Sequence, residues 1–328
     1  EKDKKYKVTV EAEYKVDEYD ILILSAKEST GLKQWLTENG YKIPGTAAAV
    51  LDPYIKNNLK FFVVKVDADR LAQKGTGTMS PLQIGFNSPK FMLPIRLGMA
   101  NADGDQDMIV YGLTKKGRIE CTNYRTVEIP TNRNVPTFVR DNFSSFYKDL
   151  FNKAYKYQGR NAVFLEYAWN VSPSFRGMKC DPCVGPPPIS RDLSQAGVYW
   201  NGNVHFTRLH VRYSQEKFAQ DLFFQVTPNK ENFQGRYIIT NPARGPFDCD
   251  EGQAYLSKLV NRRQNELSEL QALTGWTGSD RPHYVKGYQS LIKNDSKRNE
   301  ILVPIASPPS DGFLPKLYFT LAMVLIVI

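Results

Sequence analysis

Histidine and cysteine are scarce in this chain, with three His and four Cys in 328 residues. That leaves little material for a His-rich metal site. No His-Glu-x-x-His run is present to suggest a zinc hydrolase. Gly75-Thr76-Gly77-Thr78 lacks the Gly-Lys-Ser/Thr ending that gives a phosphate loop its charge and its magnesium ligand, so it reads as a turn. Asp103, Asp105 and Asp107 alternate around Gly104 without the Glu that closes a calcium loop, and they read as a hairpin turn. His205 and His210 are five apart in an apparent strand, which places them on opposite faces and argues against shared metal ligation.

A continuous basic block is also lacking. Lys and Arg exceed Asp and Glu by 43 − 34 = 9. Beyond the cluster Lys2, Lys4, Lys5 and Lys7, however, the cations are scattered, as at Lys115 and Lys116 or Arg262 and Arg263. No zinc-finger, RNA-recognition or helix-turn-helix signature accompanies them. The charge therefore predicts solvated surface, or attraction to an acidic membrane or partner, with no nucleic acid. No apolar leader opens the chain, and Glu1 runs directly into charged sequence. The expectation is that a secretory signal has been removed or that upstream residues are missing.

What is present is ordinary globular material, 41% hydrophobic and 23% charged, which excludes a disordered chain, a collagen-like fibre and a polytopic membrane protein. The length suffices for a core that needs no staples. Tyr6–Val16, Tyr19–Leu24 and Phe61–Val66 read as strands, with a helix at Leu32, Trp35 and Leu36 that stops at Asn39-Gly40. A short helix starts at Ala47 and continues past Pro53. Further strands are expected at Leu82–Phe86, Phe91–Leu97, Met108–Leu113, Arg118–Thr122 and Val163–Trp169. Residues 137–157 carry a helical stripe of Val139, Phe143, Phe146, Leu150, Phe151 and Ala154. Tyr147, Tyr155 and Tyr157 flank that stripe as a candidate docking surface. After the Pro-rich stretch, strands are expected at Phe206–Tyr213, Leu222–Thr227 and Arg236–Thr240. A long amphipathic helix over about 251–273 then ends at Gly275, with its stripe at Leu256, Leu259, Val260, Leu267, Leu270 and Leu273.

The fold class this implies is α+β. Residues 1–170 would form a mixed-sheet domain with short helices, 171–203 a Pro-rich loop holding Cys180 and Cys183, and 204–300 a β-rich region plus the long helix. A linker at 301–312 leads to 313–328. From Leu317 to Ile328 there is no charge, and the run from Phe313 holds 16 residues. A bilayer core needs about 20. Residues 313–328 are accordingly expected to be the first part of a C-terminal transmembrane anchor, the alternative being a buried core helix.

The order of motifs resembles a known family. Trp35-Leu36-Thr37-Glu38-Asn39-Gly40-Tyr41 with Pro44, Asp52-Pro53-Tyr54-Ile55 and Phe61-Phe62-Val63-Val64-Lys65-Val66 come first. Ser80-Pro81-Leu82, Leu93-Pro94-Ile95-Arg96-Leu97, Asn123-Tyr124 and Phe164-Leu165-Glu166-Tyr167-Ala168 follow. Cys180-Asp181-Pro182-Cys183 with Pro186-Pro187-Pro188, and Gly235-Arg236-Tyr237 before Asn241-Pro242, complete the series. Together, over about residues 16–276, they resemble the uncharacterised bacterial family of domain of unknown function 2330 (DUF2330). The resemblance implies a signal peptide, an upstream Cys-bearing segment and a C-terminal membrane anchor, hence a periplasmic or cell-surface location. It implies no reaction, catalytic residue or cofactor.

Cys180-Asp181-Pro182-Cys183 is the one candidate for active chemistry. A redox dithiol needs its first sulfur at a helix N-terminus, and the three prolines at 186–188 oppose a helix there. A zinc site from Cys121, Cys180, Cys183 and Cys249 would have only one close Cys pair where two are usual. An oxidising compartment favours disulfides. A bond from Cys180 or Cys183 to Cys249 would close a loop of about 65 residues and contribute about 4 kcal/mol in the chain-entropy model. The alternative is a local Cys180–Cys183 bridge, and Cys121 is left free or pairs with the remaining thiol. The functional expectation is a membrane-anchored extracytoplasmic interaction or scaffold protein, an accessory subunit with protein partners in a larger membrane assembly. The alternative is an extracytoplasmic redox or metal-binding enzyme using Cys180 and Cys183.

Overall fold

The computed structural model describes residues 5–45, 47–75, 77–99, 102–171 and 189–292, together with the backbone of 326–327. The fold is α+β, with several sheets and short helices. Val8–Val16 (β1) and Tyr19–Ala26 (β2) pair antiparallel. Ser29–Glu38 (α1) follows and stops where Gly40 takes φ +83°, a conformation that favours glycine. Ala47–Lys56 (α2) runs through Pro53, and Phe61–Val66 (β3) then joins β2. Leu32, Leu36, Leu51 and Ile55 of the two helices bury one sheet face with Leu24, Phe61 and Val63.

Ala68–Gln73 (α3) is capped by the Asp67 carboxylate, which accepts from the Asp69 and Arg70 N–H groups at 3.0 Å. The expected strand at Leu82–Phe86 is not regular structure; Leu82 and Ile84 instead pack on the second face of the first sheet. The expected strand at Phe91–Leu97 shrinks to Met92–Leu93 (β4) and a single turn, Arg96–Met99 (α4). The carboxylate of Asp221 draws the chain into that turn by accepting from the Ile95 and Arg96 N–H groups.

The larger sheet begins with Gln106–Thr114 (β5). Ile119–Cys121 (β6), Arg125–Glu128 (β7), Arg133–Asn134 (β8), Phe143–Tyr157 (α5) and Ala162–Val171 (β9) follow. The expected helix over 137–157 is interrupted: Thr137–Val139 is a separate 3₁₀ turn before α5. Ser190–Gln195 (α6) is a short helix within the span expected to be loop. Val204–Tyr213 (β10), Leu222–Val226 (β11), Phe233–Gln234 (β12) and Tyr237–Ile238 (β13) precede Asp250–Thr274 (α7) and His283–Gln289 (α8). Backbone at Ile326–Val327 (β14) pairs with β3.

The sheet order is β12-β9-β10-β5, with β7 lying parallel on β9 along the edge that β12 continues. β9 and β10 are antiparallel neighbours, so a division at residue 170 runs between two adjoining strands of one sheet. On one face, Phe146, Leu150 and Phe151 of α5 meet Phe164 and Leu270. On the other, Leu165, Leu209 and Val211 pack with Ile119, Phe218 and Phe224, the last from β11, which pairs with β4 and β6.

The long helix α7 matches the expected span and ends at Gly275 with φ +87°. Its buried stripe is not wholly apolar. Arg263 is 1% exposed and bonds Glu266 at 2.7 Å, with the Tyr284 hydroxyl beside the pair. Among the described residues no helix is long and apolar enough to cross a membrane. Residues 313–325, the main part of the expected anchor, lie outside them.

Candidate functional site

A dense arrangement of ionisable groups lies between α5 and the larger sheet. It starts from an irregularity in β9. Arg208 of β10 faces Tyr167, but Leu209 faces Leu165, so Glu166 is an extra residue in the ladder. A bulge re-aims the side chain it inserts. Here it brings the Glu166 carboxylate, in a residue only 8% exposed, against groups that belong to the α5 side. Arg208, His210 and Arg212 alternate along β10 and so share that face.

Glu166 receives the Nδ1 of His210 at 2.8 Å and lies 2.8 Å from the Nε of Arg208; the Tyr147 hydroxyl of α5 donates to it. The Nε2 of His210 meets Asp107 of β5 at 3.1 Å. Asp107 is the register partner of Arg212, which holds both of its oxygens at 2.8 Å. Arg212 also donates to Asn152 of α5. The His210 ring stacks on Phe151 at 3.7 Å.

The electrostatics follow from this geometry. Burial works to lower the His210 pKa, but hydrogen bonds and charge from Asp107 and Glu166 outweigh it and hold the imidazole above its ordinary value. Burial likewise works to raise the Asp107 carboxyl, yet His210 and Arg212 hold it down at about 2. With a carboxylate at each ring nitrogen, the imidazolium donates twice and has no nitrogen left for a substrate. The cluster balances two carboxylates against three cations and acts as a charged tie between three strands and a helix.

The structure separates the two histidines as the spacing predicts. His205 lies on the opposite face at 1% exposure, lowered in pKa by burial and by Arg118 and Lys230. The candidate tyrosine surface on α5 does not form. Tyr155 is buried, its phenol pushed up to about 12 by burial and by Asp105, and Tyr147 turns inward to Glu166. Only Tyr157 is fully outward, at 86% exposure. Asp107 belongs to β5 rather than to a turn with Asp103 and Asp105.

Among the described residues Cys121 and Cys249 are the two cysteines, and they are not bonded to each other. Cys121 is buried in β6, where burial raises its pKa, and it donates to Asn123 at 3.3 Å. Cys249 is exposed and caps α7, its sulfur accepting from the Gly252 N–H at 3.3 Å. Cys180 and Cys183, the other two members of the candidate disulfide and zinc sets, lie outside the described residues. Among the described residues, no group of three or more His, Cys, Asp or Glu side chains is arranged to hold a metal ion.

Sequence reasoning passed over Arg208 and Arg212, read Asp107 as part of a hairpin turn and met Glu166 only inside a family motif. The available signal was the alternation Arg208, His210, Arg212, which reads as a solvated strand face until α5 is laid across it.

A family model described as "Uncharacterized protein conserved in bacteria (DUF2330)" matches residues 2–225. The chain belongs to this family. The match opens before residue 16, where the resemblance was first legible, and closes within β11. It includes every member of the Glu166–His210–Asp107 cluster, whereas α7 and the Gly235-Arg236-Tyr237 motif lie beyond it. No curated protein and no solved structure matches the chain.

Proposed function

We propose that this DUF2330 protein is an extracytoplasmic interaction protein, an accessory or scaffold subunit of a larger bacterial membrane assembly, tethered through residues 313–325, ahead of the Ile326–Val327 backbone that pairs with β3. The observation that carries this reading is an outward strip on the larger sheet beside the charged cluster. Tyr111 of β5 is 57% exposed and its ring lies 5.6 Å from that of Phe206. The Arg208 guanidinium sits 5.8 Å from the Tyr111 ring and is 41% exposed. Tyrosine and arginine dominate the energetic centres of protein interfaces. Here Glu166 fixes Arg208 from below by its ion pair, so little rotamer entropy remains to be lost when a partner docks.

The chemistry of the neighbouring groups supports binding over turnover, because His210 spends both nitrogens on carboxylates. The tether rests on the uncharged run that begins at Leu317. The test is quantitative co-purification from the native membrane with Tyr111→Asp and Tyr157→Asp compared side by side. Loss of the same stoichiometric partner with Tyr111→Asp, but not with Tyr157→Asp, is expected. Equal retention in both would overturn the assignment of the surface, and extraction of the protein by carbonate wash would overturn the tether.

A further inference from the structure

A cleft of about 310 Å³ opens between the first sheet's helix α2 and the smaller sheet, and it shares no lining residue with the Glu166 cluster. That volume is at the lower end of the range for small-molecule sites. Its walls are apolar, from Leu59, Met92 and Phe223. Two cations line it, Lys90 and Arg96, and neither side chain makes an ion pair or hydrogen bond among the described residues.

The floor is a finished piece of structure. Asp221 is buried and accepts from the Tyr54 hydroxyl at 2.6 Å and from the Ile95 and Arg96 N–H groups at 3.0 and 3.1 Å. Burial and the Asp221 charge raise the Tyr54 pKa, so the phenol stays a neutral donor. These bonds hold the backbone at Arg96 in place while leaving its guanidinium uncommitted. Counting Asp221 with Lys90 and Arg96, the local charge is +1, which one monoanion neutralises.

We propose that this cleft is a binding site for a monocarboxylate with an apolar body, its carboxylate held by Arg96 and Lys90 and its hydrocarbon part against Leu59, Met92 and Phe223. A planar carboxylate suits the guanidinium fork, which donates two parallel hydrogen bonds. A phosphate dianion would overfill the local charge. The site is independent of the assembly proposed above and stands or falls without it. The shared chemistry has two sources, a free acid or the C-terminal end of a peptide.

The experiment is calorimetric titration of the full chain with octanoate, with N-acetyl-leucine and with the neutral octanamide. Saturable 1:1 binding of at least one acid is expected, at least tenfold tighter than the amide. Preference for octanoate identifies a free acid, and preference for N-acetyl-leucine a peptide end. Arg96→Met is expected to weaken the acid at least tenfold and Arg96→Lys to recover part of the loss. Met92→Trp, which keeps both cations and fills the cleft, is expected to block binding with the fold intact by circular dichroism. No saturable binding of either acid, equal affinity for acid and amide, or unchanged affinity in Arg96→Met would each overturn the proposal.

Discussion

Replacing Glu166 by Ala tests the charged tie most directly. The substitution removes the ion pair to Arg208, the hydrogen bond to His210 and the acceptor for Tyr147 at one stroke. Removing one partner of a buried ion pair costs about 3–5 kcal/mol, because the other charge is left uncompensated. Arg208 is partly exposed and can turn to water, which places the expectation near the lower limit, about 3 kcal/mol. The pH dependence is the sharper signature. His210 has its folded-state pKa raised above the unfolded value, so its contribution is complete below about pH 6.5 and is lost as pH rises through the folded value. Asp107 is lowered to about 2, so its contribution is complete above about pH 4 and is lost as pH falls through the folded value. The shift of nearly two units has a ceiling of about 2.5 kcal/mol, and the half-exposed carboxylate reduces it to about 1 kcal/mol. The tie is therefore strongest between about pH 4 and pH 6.5. Urea unfolding followed by tryptophan fluorescence, from pH 5 to pH 9, should show the Glu166→Ala penalty greatest at the acid end and shrinking toward the alkaline end. A penalty under about 1 kcal/mol at pH 6, or one that stays flat across the range, would refute the reasoning.

Three further outcomes are expected. Leu259→Ala should destabilise by about 3 kcal/mol and Leu267→Ala by about 1 kcal/mol in the same assay, because Leu259 is buried and Leu267 only partly so; Asp at both positions together should unfold or aggregate the body. Gly117→Ala should lower the melting temperature, since its new methyl would lie 2.4 Å from the carbonyl oxygens of Thr227 and Asn229, both backbone atoms that cannot swing away. Non-reducing peptide mapping of protein from the native membrane should recover Cys249 linked to Cys180 or Cys183; Cys249 fully alkylated without reductant would exclude that tie, and a readily cycled Cys180/Cys183 pair would favour the redox alternative.

Local pattern by itself determined much of this protein. The alternation of β1, the apolar runs of β2, β3, β9 and β10 and the amphipathic stripe of α7 each mark surface that must be buried, and such surface is legible without knowing what covers it. Gly40 and Gly275 mark helix ends because positive φ is a property of one residue. The ordered motifs were enough to name the family. Other features depended on partners distant in the chain. Phe91–Leu97 has strand composition, but Asp221, more than a hundred residues later, takes the Ile95 and Arg96 N–H groups and bends the segment into a turn. Arg263 and Glu266 enter the buried stripe of α7 because Tyr284 of α8 stands beside them. The Glu166 cluster needed three decisions beyond the reach of sequence: a bulge in β9, the register that sets Asp107 opposite Arg212, and the placement of α5 over that face. A charge on a strand reads as solvated until tertiary structure shows what is packed across it, because pairing energy lives in distances between residues and not in their order.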